Sequence, residues 1–326
     1  MLSVIIPTYN ARLLIGRTLE SVLGQRGIGR ADLEIIVVDD ASTDGTPDVV
    51  AGYAAKDDRI RVFRETVNRG PAACRNIGLR EARGELAAFL DGDDYWEADF
   101  LAVCSGFLAD HPEAIAVSVM QRHRIIGKPE SVSPRIDEDM DAAGSVLDDY
   151  YRFWAKYRHV CTGSAMFRTA VAREVGGQRE DLRVCEDLEF WALLATRGKW
   201  GFVPQILFTS DGGDTTKAQG WLAKNMKRWQ SAPAVEEWSR RILAALPSEC
   251  KSGFAVCQAQ IAKNLSYSMI QSDRDAEARR TVLKYGGGPE WRQSAMHRIM
   301  RFAAVTPLSW KLLCVLLRRR ERRRRI

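Results

Sequence analysis

Carboxylate side chains cluster in the segment Asp91-Gly92-Asp93-Asp94, directly after an apolar run. Carboxylates at positions i and i+2 after a buried strand repel one another, and a bound divalent cation removes that repulsion. A few hard oxygen ligands, with room left for water and phosphate, are typical of Mg²⁺ or Mn²⁺ held between a protein and a diphosphate. The segment lacks the further ligands of a calcium loop, so it predicts a Mg²⁺ or Mn²⁺ site.

Three other polar segments, Pro7–Asn10, Asp39–Gly45 and Asn68–Gly70, also follow apolar runs. Turn chemistry alone would account for any one of them, because Asn, Asp, Ser and Gly dominate turns. In open α/β sheets, however, ligands bind beyond the carboxyl ends of the strands, so these segments together predict a binding site at one sheet edge. The chain has no G-x-x-x-x-G-K-[ST] loop and no G-x-G-x-x-G fingerprint, which argues against the usual NTPase and dinucleotide-binding classes.

The elements that must position these segments follow from hydrophobic patterning. Short apolar runs alternate with helical patterns through the first 125 residues, which predicts β-α-β units and a mostly parallel α/β sheet flanked by helices. The runs are near-continuously apolar, which predicts burial on both faces of the sheet. The predicted strands are Ser3–Thr8, Leu33–Asp39, Ile60–Phe63 and Leu86–Leu90.

Beyond residue 125 the pattern changes twice. Residues 127–144 are polar and predict a loop or lid, and from about Trp221 onward only helical patterns remain. We predict a first domain at 1–218, with a change of character at about residue 125, and a helical C-terminal region at 219–326. Further elements predicted between them are helices near Leu147–Tyr157 and Glu186–Ala195 and strands near Ser164–Phe167, Gly201–Val203 and Ile206–Phe208.

The positive charge of the chain is confined to its end. The 326 residues carry a formal charge of +6, and residues 318–326 hold seven Arg and one Glu. Residues 1–317 therefore carry 41 basic and 41 acidic side chains. Nucleic-acid binding would require basic patches across the fold, so the neutral body argues against a nucleic-acid partner.

The cysteines and the two ends of the sequence indicate the cellular compartment of the protein. Seven cysteines without a C-x-x-C pair suggest neither a disulfide framework nor a zinc site, and they favour the reducing cytoplasm. Residues 1–7 lack a basic region and predict a strand rather than a signal peptide. The longest apolar stretch, Val305–Leu317, has 13 residues, whereas a membrane-spanning helix needs about 20.

The apolar stretch and the basic run together form the segment 299–326. Such a combination suits peripheral binding to the cytoplasmic surface of an anionic membrane. The alternative is a solvated charged tail on a packed helix, and the sequence leaves both open.

Five segments follow one another in register: Ser3–Asn10, Val38–Thr46, Asn68–Gly78, Phe89–Asp94 and Glu186-Asp187. Together they resemble the successive motifs of family 2 glycosyltransferases of the GT-A fold, over residues 1 to about 210. The resemblance implies a Rossmann-like sheet in a catalytic domain at 1–218, with a nucleotide-sugar half at 1–125 and an acceptor half at 126–218. It also implies an inverting transfer from a nucleotide-diphosphate sugar, most readily a UDP-sugar, to a saccharide or lipid-linked hydroxyl acceptor, in cell-surface polysaccharide or glycolipid synthesis.

The resemblance implies a role for individual residues. Asp187 matches the catalytic base, Asp93 matches the direct metal ligand, and Asp91 matches a metal ligand nearer the ribose or sugar. Pro7 and Tyr9 flank the nucleotide base, and Asp40 accepts a hydrogen bond from its ring N–H. The remaining nucleotide contacts are Asn10, Arg69, Arg75 and Asn76, and the acceptor side is assigned to Gly163, Ser164, Glu186 and Trp191, with Arg168 beside them.

One departure from the family pattern concerns the metal. Many relatives supply a late histidine after the last core strand, but Phe208–Lys217 contains none. Asp211, Asp214, water or Lys217 would stand in its place, or the segment is an ordinary glycine-rich loop; these alternatives stay open. Among the four histidines, His159 lies nearest the acceptor motif, where a lone histidine is more often structural.

Other functions use some of the same residues. Glu186-Asp187 alone would also fit a helix N-terminal acid pair favoured by the helix dipole. A nucleotidyltransferase would also use paired carboxylates and Mg²⁺, but residues 8–16 lack its basic glycine-rich loop. A sugar-binding relative without transferase activity would have lost Asp93 or Asp187, and both are present.

Overall fold

The computed structural model describes residues 1–124, 129–137, 139–211, 228–287 and 295–323. The chain divides into two units, which are described separately. The first unit comprises Met1–Glu180 and Phe190–Lys217, and the second comprises Asp181–Glu189 and Ala218–Ile326. The domain bounds predicted from the sequence stay a prediction.

The first unit alternates strands and helices along the chain. Its strands are β1 (Leu2–Thr8), β2 (Leu33–Asp39), β3 (Ile60–Arg64), β4 (Leu86–Phe89), β5 (Tyr95–Trp96), β6 (Ala114–Arg124), β7 (Ser131–Ser133), β8 (Ser145–Val146), β9 (Ala165–Arg168) and β10 (Lys199–Asp211). Its helices are α1 (Ile15–Leu23), α2 (Thr46–Ala54), α3 (Pro71–Glu81), α4 (Phe100–Asp110), α5 (Tyr150–Tyr157) and α6 (Thr169–Glu174), and α7 (Glu186–Leu194) begins in the second unit.

Strands of the described residues form one sheet with the order β3-β2-β1-β4-β9-β6-β10-β5. β3, β2, β1 and β4 pair in parallel, β9 is antiparallel to both of its neighbours, and β6 pairs in parallel with β10. The mostly parallel α/β sheet predicted from the sequence is therefore confirmed. The chain leaves β1 toward β2 on one side and reaches β4 on the other, so the strand order reverses at β1.

Burial explains why the first strands were recognisable in the sequence. Every residue of β1 and of β2 is buried, as expected for a sheet covered on both faces. The ends of β1 to β4 lie within one residue of the predicted bounds. Of these, β1 and β2 supply the centre of a core that also receives apolar side chains from α1 and α4.

The sequence missed the longer strands of the second half of the sheet. β6 was not predicted, and β10 was predicted as two short strands although it runs from Lys199 to Asp211. Its pairing register with β6 shifts between Val203 and Ile206, and Pro204 lies within this interval. Proline has no backbone N–H to donate to the neighbouring strand, so the regular hydrogen-bond ladder is interrupted there. The predicted loop at 127–144 contains the short strand β7, which pairs with β6; its role as a lid stays a prediction.

A close approach of α3 to β1 is possible only because residue 78 is glycine. A Cβ atom at Gly78 would lie 2.2 Å from Cγ2 of Ile5, which is fully buried. α3 also carries Arg75 and Asn76, so this contact fixes the depth at which both side chains enter the sheet edge.

We expect Gly78→Ala to lower the free energy of unfolding by about 1 to 3 kcal/mol, because the added methyl group overpacks the contact with Ile5. The matched control is Gly52→Ala in α2, where a Cβ atom would meet nothing within 4 Å. That change should raise the stability by about 0.5 to 1 kcal/mol through helix propensity alone. Urea unfolding of both variants measures the difference, and equal shifts would contradict the proposed packing.

The described part of the second unit is helical beyond residue 228, as predicted. Trp238 and Phe254, both buried, stack with ring centroids 6.3 Å apart and join the first two helices. No helix within the described residues is long and apolar enough to cross a membrane. The helices are α8 (Val235–Ala245), α9 (Lys251–Gln271), α10 (Asp275–Tyr285), α11 (Ala295–Ala304) and α12 (Pro307–Arg323).

Candidate active site

The carboxyl ends of β1, β2 and β4 meet where the strand order reverses. The backbone N–H of Asp40 donates to the carbonyl of Thr8 at 2.9 Å, and that of Gly92 donates to the carbonyl of Pro7 at 3.2 Å. The polar segments predicted to share one sheet edge are thus joined by main-chain hydrogen bonds around the end of β1. Such a reversal point is where doubly wound sheets bind their ligands.

Asp40 lies at the centre of this edge and is 3% exposed. Its two carboxylate oxygens accept the backbone N–H groups of Arg69 at 2.7 Å and of Gly70 at 2.8 Å, which fixes the start of α3. Each oxygen has two lone pairs, so the carboxylate retains acceptor capacity for a further donor. This geometry is compatible with the predicted hydrogen bond to a base, which stays a prediction.

Tyr9 and Asn10 form the rim of the edge. The Tyr9 side chain is 46% exposed and follows the buried end of β1, where an aromatic face can stack on a planar ring. Asn10 instead ties two loops together: its backbone N–H donates to Ser42 Oγ at 2.9 Å, and its Oδ1 accepts from the Thr43 N–H at 2.9 Å. Asn10 therefore positions the loops after β1 and β2.

Arg75 enters the edge from α3 and is 3% exposed. One guanidinium nitrogen donates to Asp91 Oδ1 at 2.6 Å, and the other donates to Gln178 Oε1 at 3.1 Å. A buried ion pair is stable only when hydrogen bonds satisfy the remaining polar atoms of both partners. Gln178 supplies one such hydrogen bond to Arg75. Arg75 thus joins Asp91 to a loop that is distant in the sequence.

Asn76, also on α3, fastens that loop. Its Nδ2 donates to the carbonyl of Gln178 at 2.8 Å, and its Oδ1 accepts from the Gln178 backbone N–H at 2.8 Å. A Cβ atom at Gly177 would lie 2.4 Å from Asn76 Oδ1, so the loop approaches α3 through a glycine with φ +67°. Asn76, predicted as a nucleotide contact, uses its carboxamide to hold the loop.

The guanidinium of Arg69 lies against two carboxylates. It donates to Glu180 at 2.8 Å and to Glu65 at 3.4 Å, and these two carboxylates raise the pKa of Arg69. A phosphate or ribose approaching Arg69 would compete with both carboxylates. The role predicted for this side chain stays a prediction.

Asp91, Asp93 and Asp94 form the acidic loop after β4. Burial, together with the negative charges of Asp93 and Asp91, raises the pKa of Asp94 to about 8. Asp94 Oδ1 accepts the backbone N–H of Asp211 at 2.8 Å, so it connects this loop to the end of β10. The negative potential of the loop and its hard oxygen donors fit a divalent cation.

Of the residues proposed in place of a late histidine, the structure describes only Asp211. The Asp211 carboxylate accepts from Arg17 Nη1 at 2.5 Å and lies 3.7 Å from Arg124 Nη1, so two guanidinium groups offset its charge. Asp214 and Lys217 lie outside the described residues. In the part of the chain that the structure describes, no three His, Cys, Asp or Glu side chains gather closely enough to hold a metal.

The predicted base Asp187 lies in the first turn of α7, in the second unit, between two other acids. Glu186 Oε1 lies 3.4 Å from Arg228 Nη2. Glu189, which has no exposed surface, lies 3.0 Å from Arg241 Nε. Arginines thus offset the charges of Glu186 and Glu189, and the N-terminus of the helix favours acidic residues in this turn.

Three of the predicted acceptor contacts are buried in the first unit. Trp191 has no exposed surface and packs against Phe89, Phe167, Phe190 and Trp200. Ser164, also fully buried, donates its hydroxyl to the Cys161 carbonyl at 3.0 Å. Both side chains thus pack inside the first unit, and the acceptor contacts predicted for Trp191 and Ser164 stay predictions.

The third, Gly163, is buried too and acts through its backbone. Its carbonyl accepts from Trp96 Nε1 at 2.6 Å. Only glycine fits this position, because its φ is +93° and a Cβ atom here would lie 2.3 Å from the ring of Phe208. Arg168 donates to the carbonyls of Ala114 and Leu108, both at 2.9 Å. Both residues therefore shape the sheet, and the acceptor contact predicted for Gly163 stays a prediction.

His159 has the structural role expected of a lone histidine. It is fully buried, its Nδ1 lies 2.7 Å from Ser118 Oγ, and burial lowers its pKa to about 3. The imidazole is therefore neutral at physiological pH and contributes packing.

Two residues of the edge were missed by the sequence analysis. Gln178 is 2% exposed, yet only the neighbouring glycines at 176 and 177 mark its loop in the sequence. Arg17, on α1, donates to the Asp93 carbonyl at 2.9 Å and lies 4.5 Å from the centre of the Tyr95 ring. No local signal distinguishes Arg17 from a solvated arginine, because its partners lie far along the chain.

Comparison with known proteins agrees with this arrangement. The family model "Glycosyl transferase family 2" matches residues 3–176. The chain belongs to that family. It is 31% identical over 237 residues to the putative teichuronic acid biosynthesis glycosyltransferase TuaG of Bacillus subtilis, covering 71% of this chain and 84% of TuaG. It is thus a glycosyltransferase that uses a nucleotide-sugar, as the sequence predicted.

Other relatives match over less of their length or only in fold. Poly(ribitol-phosphate) beta-N-acetylglucosaminyltransferase TarS of Staphylococcus aureus is 35% identical over 130 residues, which cover 40% of this chain and 22% of TarS. The crystal structure of S. aureus TarS 1–349 with UDP-GlcNAc has a TM-score of 0.69 at 19% identity and covers 99% of this chain and 91% of that one. The mannosyltransferase PcManGT from Pyrobaculum calidifontis with GDP-Man and Mn²⁺ has a TM-score of 0.58 at 22% identity, covering 96% and 86%. These likenesses confirm the GT-A fold.

The glycosyltransferase offers a direct test of the contact between Gln178 and Arg75. We expect Gln178→Met to lower kcat/KM for the donor about tenfold, because one hydrogen bond to a charged group is lost and Arg75 is released from its orientation toward Asp91. Affinity for the free nucleoside diphosphate should stay within about twofold, because the contacts of Asp40 and Asn10 at the same edge do not involve Gln178 and are unchanged.

The matched control for this prediction is Gln271→Met, which changes another buried glutamine at the end of α9. Steady-state kinetics and calorimetric binding of the diphosphate measure the two quantities. If both variants lower kcat/KM equally, or if diphosphate affinity falls in parallel, Gln178 has only a general structural role.

Proposed function

We propose that this glycosyltransferase inverts the anomeric centre while transferring a sugar from a UDP-sugar to a hydroxyl of a saccharide or lipid-linked acceptor in cell-surface polymer synthesis. The observation that carries the proposal is the set of Asp40, Arg75 and Asp91 at the reversal point of the sheet. TarS, solved with UDP-GlcNAc, and TuaG, named for teichuronic acid biosynthesis, support the choice of donor and of acceptor class.

On this proposal, the donor occupies the edge from the base to the sugar. Pro7 and the exposed ring of Tyr9 flank the base, and Asp40 accepts its ring N–H. Asp91, oriented by Arg75, faces the ribose or the sugar. A Mn²⁺ or Mg²⁺ held by Asp93 and Asp91 would, when bound, supply positive charge that neutralises the leaving diphosphate.

The base in this proposal is Asp187. Its carboxylate takes the proton of the acceptor hydroxyl as the hydroxyl oxygen attacks the anomeric carbon from the face opposite the diphosphate. Glu186, next to it, would contribute to binding the acceptor. The C–O bond to the diphosphate breaks as the new glycosidic bond forms, so the configuration inverts.

We also place the enzyme in the cytoplasm, with residues 299–326 against an anionic membrane surface. All seven cysteines are free thiols, which suits a reducing compartment. Contact with a membrane would bring the enzyme to a lipid-linked acceptor.

Donor binding and hydrolysis test the proposal. Purified protein is titrated with UDP-, GDP- and dTDP-sugars by calorimetry, with and without Mn²⁺, and donor hydrolysis is followed in parallel. We expect the UDP-sugar to bind most tightly, and Mn²⁺ to strengthen its binding. Tighter binding of another nucleotide would overturn the UDP assignment. Formation of a nucleotidyl product from a nucleoside triphosphate would favour the nucleotidyltransferase alternative, and binding without any turnover would favour a sugar-binding protein.

A further inference from the structure

The last two helices expose a row of large apolar side chains. The side chains of Phe302 and Leu308 are each 81% exposed, and that of Val305 is 67% exposed. Soluble proteins rarely expose contiguous apolar patches of this kind unless they bind something. We call the row the C-terminal apolar face; its members are Ile299, Phe302, Val305, Leu308, Leu312, Val315 and Leu316.

The orientation of this face is set by contacts on the other side of α12. Trp310, which is buried, donates from Nε1 to the Asp275 carbonyl at 2.7 Å. Arg318 donates to the two carboxylate oxygens of Asp275 at 2.6 and 2.8 Å, and Glu321 accepts from the hydroxyl of Tyr267. These contacts bury one side of α12 within the second unit. The opposite side of the helix, which carries Leu308, Leu312 and Val315, therefore faces the solvent.

The charged side chains within the segment that carries this face have a single sign. Residues 295–320 contain six Arg and Lys and no Asp or Glu. Arg318 pairs with Asp275, and the other five are exposed at the surface: Arg298, Arg301, Lys311, Arg319 and Arg320. A surface of apolar and basic side chains is complementary to an anionic, partly apolar partner.

We propose that the C-terminal apolar face docks in the plane of an anionic lipid bilayer, with its basic side chains at the headgroups. The inference deepens the membrane contact in the proposed function and rests on it. An apolar face bordered by basic residues is the pattern of helices that lie in a membrane interface. A second copy of the chain would bring two rows of positive charge together, so self-association fits the same surface less well.

This inference narrows the set of residues that contact the membrane. The sequence assigned the contact to the whole segment 299–326, and within it the Arg318 guanidinium is bound to Asp275. The inserted side chains would be Phe302 and Leu308, and the exposed basic residues would bind the anionic headgroups.

Vesicle co-sedimentation of the full-length protein tests this inference. The probes are vesicles of phosphatidylcholine alone and of an equal mixture of phosphatidylcholine and phosphatidylglycerol, at low and high salt. We expect binding to the mixed vesicles only, weakened by salt, and at least about tenfold weaker for the double variant Phe302→Ser and Leu308→Ser. Arg319→Ala with Arg320→Ala should also weaken binding about tenfold.

The control exchanges exposed leucines elsewhere in the second unit. Leu243 and Leu283 are 52% and 51% exposed, so Leu243→Ser with Leu283→Ser removes exposed apolar surface outside the face. Equal loss in the control and the Phe302–Leu308 variant, equal binding to neutral vesicles, or a dimer in solution that the Phe302–Leu308 variant abolishes would each overturn the inference. Calorimetric UDP binding by the same variants should be unchanged, which separates failure of docking from failure of the proposed donor site.

Discussion

Replacing Asp187 by asparagine should lower kcat for sugar transfer by about 10²- to 10⁴-fold, the range typical for loss of a positioned general base. Asparagine keeps the size and the hydrogen-bonding shape of the side chain but cannot take the proton of an acceptor hydroxyl. Affinity for the nucleotide should be nearly unchanged, because the base acts on the acceptor. Steady-state kinetics with donor and acceptor, together with calorimetric UDP binding, measure both quantities.

The comparison variant for Asp187 is Glu186→Gln. Glu186 lies in the same turn of α7 and is paired with Arg228, so this change also removes one negative charge from the helix N-terminus. We expect Glu186→Gln to raise KM for the acceptor with a much smaller change in kcat. Activity of Asp187→Asn close to that of the unchanged enzyme would overturn the assignment of the base. Equal losses of kcat in the two variants would show that helix charge, rather than proton transfer, is what matters.

Replacing Asp93 by asparagine should abolish most of the dependence of UDP binding on Mn²⁺. Asp91 shares its charge with Arg75 at 2.6 Å, and Asp94 is only 7% exposed. Asp93 is partly exposed, and its main-chain carbonyl is fixed by Arg17 at 2.9 Å. The metal-linked gain in UDP affinity should therefore fall at least about tenfold, and kcat/KM about 10²-fold or more, since bound metals stabilise developing charge by several kcal/mol.

A carboxylate outside the edge provides the control for Asp93. Asp110 is exposed at the end of α4, so Asp110→Asn removes the same charge without touching the strand ends. Calorimetric titration of UDP at increasing Mn²⁺ concentration compares the two variants. If Asp93→Asn keeps the full response to Mn²⁺, or if Asp110→Asn loses it equally, the metal is not held by Asp93.

The first half of the sheet was predictable because its signals are local. β1 and β2 are buried along their whole length, so their apolar runs are uninterrupted and end where a polar turn begins. Asp40 follows β2, Asp91 and Asp93 follow β4, and their placement on one edge follows from parallel strands alone. The bounds of β6 and β10 were harder to predict from the sequence. β6 ends in polar residues, and Pro204 interrupts the apolar run of β10.

The partners of the site residues were not predictable in the same way. Arg75 and Gln178 are 103 positions apart, and Arg17 and Asp211 are 194 apart. Whether an aromatic residue is exposed or buried also depends on segments far away in the sequence. Trp191, which the sequence assigned to an acceptor contact, lies among four other rings in the structure.

By itself, the sequence determined the α/β class, the family and the residue types at the sheet edge, because hydrophobic periodicity and turn chemistry act over a few neighbouring positions. Only the tertiary structure decided that Asn76 holds a loop, that Gln178 orients Arg75, and that the apolar C-terminal stretch has one buried and one exposed side. These features depend on hydrogen bonds and packing between segments far apart in the chain. Their geometry exists only once the sheet and its helices have assembled.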